Sequence, residues 1–168
     1  MGSNPLKKTS FWIALLVLLV TAFLMFAVYY DLLQLHVYIG PYYIHHWLSW
    51  TGTTFIALFT PIYHWLKRSK PQKLRTVLGV HVFGNLFSFM FISIHFTQQI
   101  SRPAQFYPDL GTGIVLYASM LLLVLTGFLS RFPIIKSIGK SLKFIHLSVT
   151  MAFYLIILVH ILHGLGFI

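Results

Sequence analysis

The stretch VLGVHVFGNLFSFMFISIHFTQ, residues 77–98, runs for 22 positions without an Asp, Glu, Lys or Arg. A helix of that length is ~33 Å long, enough to cross ~30 Å of hydrocarbon. Comparable apolar runs occur at about 11–30, 47–66, 112–131 and 144–163. The expected fold is therefore all-α: an integral membrane bundle of five transmembrane helices forming one domain, residues 1–168, with no soluble portion. The breaks fall at Gly40-Pro41, Ser69-Lys70-Pro71, Arg102-Pro103 through Gly111, and Pro133 to Lys140, which is the punctuation expected between helices. Lys7 and Lys8 ahead of Phe11 to Tyr30 have the look of a secretory leader. The apolar part is too long and no small-residue cleavage site follows, so it is read as the first membrane helix.

Composition agrees with lipid as the solvent. Apolar residues make up 58% of the chain and charged residues 8%, a balance that a soluble domain of this size does not need. The 12 Lys and Arg against two acidic residues give +10. They fall between the apolar runs instead of forming a stripe, which argues against nucleic acid. With Lys7, Lys8, Lys67, Arg68, Lys70, Lys73, Arg75, Arg131, Lys136, Lys140 and Lys143 on one side, only Arg102 lies on the other. The positive-inside rule then places the N-terminus in the cytoplasm and the C-terminus outside, as in a multi-pass protein of the cell membrane. It also makes the third and fifth helices parallel. The absence of Cys excludes disulfides, thiolate ligands and iron–sulfur clusters. Asp31 and Asp109 are the only carboxylates and both fall in expected loops, so any intramembrane ionisable chemistry belongs to histidine.

Four of the nine histidines form a pattern. His81 and His95 on the third helix are 14 residues apart, and so are His146 and His160 on the fifth. Fourteen residues advance a helix by ~21 Å and return it to within ~40° of the same face. On parallel helices this sets His81 level with His146 on the inside and His95 level with His160 on the outside. Two facing imidazoles at each level are what a six-coordinate haem iron takes, and iron ligation accounts for imidazoles in lipid. The expected cofactors are two haems b. Gly84, Asn85 and Ser88 share the third-helix face and Val149, Thr150 and Phe153 the fifth; Gly84 and Ser88 would leave room for a flat macrocycle. Small residues also pack helices without a cofactor.

The other candidates rank lower. His46 and His64, 18 residues apart on the second helix, share a face but are separated by ~27 Å, which puts them at the two interfaces; they are read as pocket or proton-relay groups, or as ordinary interfacial residues. His163 competes with His160 but breaks the 14-residue spacing. His36 and His45 read as outer-loop residues with no assigned role. Arg75, Lys140 and Lys143 stand near the inner pair as propionate partners, although topology alone accounts for them. Arg102, seven residues past His95, is expected to meet the outer haem propionates or an anionic acceptor.

Leu74 to His81 through Ile94-His95, with Phe144-Ile145-His146 through Val159-His160, resembles the ferric-reductase-like transmembrane domain of ferric reductases, NADPH oxidases and the bacterial MsrQ (YedZ) subunits. Gly52 to Thr60-Pro61, the basic loop to Arg75-Thr76-Val77-Leu78-Gly79, and Leu125 to Lys140 are similar to MsrQ features. The resemblance spans roughly 46–164 and implies bis-histidine haems at His81 with His146 and at His95 with His160. It also implies a ferric-reductase-like oxidoreductase component lacking its own flavin domain. No flavin or nucleotide motif is present, so the expected donor is quinol, a soluble flavoprotein or another subunit, with a redox partner protein or the quinone pool at the ends of the path. Two other readings stay open. One is a cytochrome b anchor within a larger membrane complex, exchanging electrons with quinone near His46 or His64. The other is a haem-free, histidine-dependent transporter of protons or soft metal ions.

Overall fold

The computed structural model describes residues 9–103, 111–132, 136–164 and 166–167. Among them the order is α1 (Thr9–Tyr29), β1 (Tyr38–Ile39), β2 (Tyr42–Tyr43), α2 (Ile44–Ser69), α3 (Leu74–Ile100), α4 (Gly111–Arg131) and α5 (Gly139–Gly164). Short 3₁₀ turns at Pro71–Lys73 and Lys136–Ile138 lead into α3 and α5. Lys7, Lys8 and Asp109 lie outside the described residues. The expected all-α architecture is observed, with one two-stranded antiparallel hairpin added between α1 and α2.

Each apolar run coincides with a helix, and α2, α3 and α5 extend beyond theirs at both ends. The chain ends follow local rules. At α1, Asp31 adopts φ 56°, Leu32 N–H donates to the Ala27 carbonyl at 2.8 Å, and Asp31 N–H donates to Val28 at 3.2 Å. That is a left-handed helix cap with an aspartate where glycine is usual, and Asp tolerates the conformation better than most residues. Gly166 closes α5 in the same way, at φ 75°, with Phe167 N–H on the Leu162 carbonyl at 2.9 Å.

Among the described residues four helices are long and apolar enough to cross a membrane: α1, α3 with its leading turn (Pro71–Ile100), α4 and α5. The protein is thus a multi-pass membrane protein. Its exposed side chains agree, because Trp12, Leu16, Leu19, Phe23 and Phe26 form an exposed stripe along α1 and Leu147, Met151, Leu155 and Leu158 another along α5. Apolar stripes of that extent are tolerated against acyl chains and not against water. Four helical hydroxyls are satisfied by their own backbone: Thr21 donates to Val17, Thr97 to Ser93, Thr126 to Leu122 and Thr150 to His146, all carbonyls four residues back, at 2.6–2.8 Å, whereas Ser130 Oγ is buried without a hydrogen-bond partner. The backbone bond removes most of the cost of a hydroxyl in hydrocarbon. α2 is 26 residues long, but His45, His46, Ser49, Thr51, Thr53 and Thr54 interrupt the apolar character of its first half.

The chain divides into two compact units, Trp12–Gln105 and Met1–Phe11 with Phe106–Ile168. In the first, α2 and α3 form an antiparallel pair that approaches closely at two glycines. A Cβ at Gly52 would lie 2.9 Å from the Ser88 carbonyl oxygen, and one at Gly84 would collide with the edge of the Phe55 ring. In the second, α4 and α5 form another antiparallel pair, and Phe11 packs on Phe128 and Phe132 with ring centroids 5.6 and 5.4 Å away.

Candidate metal centre

At one end of the α2–α3 pair three histidines converge. His45 and His46 occupy the first turn of α2 and His95 the last third of α3, and one ring nitrogen from each lies within 4.8 Å of the others. His45 Nδ1 is 3.1 Å from His95 Nδ1, so one of the two donates and the other accepts. His45 is 2% exposed, and His46 Nδ1 is buried without a hydrogen-bond partner. The rings are close, with centroids 4.1 Å apart for His45 and His46 and 5.2 Å for His46 and His95. Arg102, just past α3, is near enough to act electrostatically on His45 and His46. His36 lies 3.5 Å through Nε2 from Gln98 Nε2.

The hairpin explains why His45 is there. Gly40 takes φ 63°, a left-handed value that suits glycine at a tight turn. Tyr38 pairs with Tyr43 across the turn, their hydroxyls 2.6 Å apart. Ile44 N–H then bonds the Val37 carbonyl at 2.9 Å, and Trp47 Nε1 donates to the Ile39 carbonyl at 2.9 Å. Strand pairing ends at Tyr43, so α2 starts at Ile44 and not at Trp47. His45, expected in a loop without a role, is therefore helical and buried against His95; His36 is the residue left in the loop, and it is exposed. The readable signal was Tyr38-Ile39 and Tyr42-Tyr43 around a two-residue Gly-Pro connection, a hairpin pattern that ends just before the His-His doublet.

Further along α3, His81 stacks on Tyr63 of α2 at 4.3 Å between centroids and 18° between planes. Asn85 Nδ2 lies 3.3 Å from His81 Nδ1, while Asn85 Oδ1 is buried and unpartnered. A half-turn of that amide offers Oδ1 to a protonated Nδ1. His64, expected to share a site face with His46, is exposed, its ring 5.5 Å from that of Tyr63.

The α4–α5 pair repeats one arrangement twice. Thr126 Oγ1 lies 3.0 Å from His146 Nδ1, and Thr112 Oγ1 lies 3.1 Å from His160 Nδ1. The glycine after each threonine faces the same ring: a Cβ at Gly127 would be 3.3 Å from His146 Cε1, and one at Gly113 3.6 Å from His160 Cε1. Stepping 14 residues along α4 while stepping back 14 along α5 reproduces the contact. His163 is exposed.

Gly84 and Ser88 serve the α2–α3 approach: Phe55 fills the space beside Gly84 and Gly52 covers Ser88. Arg75 and Lys143 are exposed. His81 and His95 belong to one unit and His146 and His160 to the other. As donors the four suit haem iron, since each has its Nδ1 beside a polar protein group, as iron-bound imidazoles ordinarily do. Comparison of the chain with protein-family models, with curated proteins and with solved structures gives no match.

Proposed function

We propose that this protein is a di-haem b-type cytochrome of the cell membrane, carrying electrons across the bilayer, with α2 as a fifth span, the N-terminus inside and the C-terminus outside. In this reading His81 with His146 ligate the inner haem and His95 with His160 the outer one. Electrons enter from a quinol, a flavoprotein or a partner subunit and leave to an acceptor on the opposite side. One observation carries the reading. Each of the four histidines lies on a long helix, 14 residues from its mate, and each has its Nδ1 edge beside His45, Thr112, Thr126 or Asn85. In this reading Nε2 is the atom of each that ligates iron. Arg102 is the outer propionate partner and Arg75 and Lys143 the inner ones.

A reduced-minus-oxidised visible spectrum of the purified chain, with haem quantitation, tests it. A b-type band and about two haems per chain are expected. A haem-free protein, or His81→Ala and His95→Ala variants that keep both haems, would refute it.

The cluster of His45, His46 and His95 favours a second reading, a haem-free protein that holds or passes a soft metal ion. Three imidazoles converging within 4.8 Å suit zinc or copper. The same preparation decides between the two. Stoichiometric zinc or copper, lost in a His46→Ala variant and accompanied by no haem band, belongs to the second.

A further inference from the structure

Thr126 can do more than fill space beside His146. Its hydroxyl has a single proton, and Oγ1 lies 2.7 Å from the Leu122 carbonyl and 3.2 Å from that of Leu123. Were that proton turned toward the histidine, two bare acceptor oxygens would face each other at 2.7 Å in a low-dielectric setting. The proton therefore stays on the backbone, and toward His146 the hydroxyl can only accept. His146 must then carry its proton on Nδ1, at 3.0 Å, which leaves Nε2 unprotonated. Gly127 lets the ring come that close, since a Cβ there would press on Cε1 at 3.3 Å. Thr112 and Gly113 stand beside the His160 ring in the same way, at 3.1 and 3.6 Å, but it is at Thr126 that the backbone bonds fix the hydroxyl proton.

We propose that Thr126 is a positioning residue that sets the imidazole tautomer of His146, presenting Nε2 to the metal and tuning one haem separately from the other. This rests on the cytochrome reading for the metal's identity, though the tautomer assignment stands on the hydrogen bonds alone. A hydroxyl that accepts from Nδ1–H makes the imidazole a stronger donor and favours ferric iron.

The test uses the full chain in detergent, with redox titration and low-temperature electron paramagnetic resonance on Thr126→Val and Thr126→Ser. Thr126→Val is expected to raise one of the two midpoint potentials and shift one low-spin signal, leaving the other pair in place. The size expected is about tenfold in the reduced-to-oxidised ratio, ~59 mV for a one-electron couple. The Ser variant should match the parent. A Val variant with unchanged potentials and signals would overturn the proposal, as would a Ser variant displaced as far as Val, which would mean packing alone.

If the parent binds no haem, the cytochrome reading fails by itself. ¹⁵N resonances of histidine, with His146 assigned through His146→Gln, then decide the tautomer. An Nδ1-protonated ring in the parent and a tautomer mixture in Thr126→Val uphold it; identical spectra overturn it.

Discussion

His45 Nδ1 lies 3.1 Å from His95 Nδ1, although 50 residues separate them. His45 is 2% exposed, and a buried ring nitrogen that loses its partner forfeits its hydration. His45→Ala should thus lower stability by about 1–3 kcal/mol, and His45→Gln by less, because the amide keeps a polar partner for His95. Thermal unfolding in detergent measures this. In a haem-loaded preparation only the outer haem should change potential, and an unchanged melting point with both potentials intact would remove His45 from the site.

The two glycines between α2 and α3 differ from a third nearby. Gly52 faces backbone, which cannot yield, whereas Gly79 has nothing within 4 Å. Gly52→Ala should cost about 1–3 kcal/mol through overpacking. Gly79→Ala should gain up to about 1 kcal/mol from helix propensity. Opposite shifts in unfolding temperature are the expected result. Gly84→Ala falls between them, because Phe55 is a side chain that can rotate away, and Phe55→Leu should restore part of the loss.

Arg102 acts electrostatically on His45 and His46 and is the only cation expected on the outer side. Arg102→Ala should shift the outer-haem potential and slow electron delivery to an anionic acceptor, with the inner haem untouched. If both quantities stay at the parent value, Arg102 has no part in the path.

The crossing of α2 can be read directly, since the chain has no cysteine of its own. In sealed vesicles a membrane-impermeant thiol reagent should label Lys70→Cys only from the cytoplasmic side and Tyr38→Cys only from the outside. Labelling of both from one side would leave four spans and reverse the orientation assigned to the elements on one side of α2.

The helices were legible because hydrocarbon imposes a length: runs of about 20 apolar residues announce α1, α3, α4 and α5 whatever they pack against. The His81–His95 and His146–His160 spacings were legible for a related reason, since helical pitch turns sequence distance into depth. The local chain geometry obscured His45. Its helix begins three residues early because Gly40 permits a hairpin that stops at Tyr43.

Partnership between helices could not be read in this way. Phe55 occupies the space at Gly84, and Thr126 and Thr112 meet His146 and His160, because antiparallel register brings residues from opposite ends of their segments together. Register depends on how two surfaces interlock, a property of the pair that neither segment carries alone. Hydrophobicity and periodicity thus marked the apolar helices and the repeated histidine spacing, while packing determined which hydroxyl, amide or imidazole each of these histidines faces.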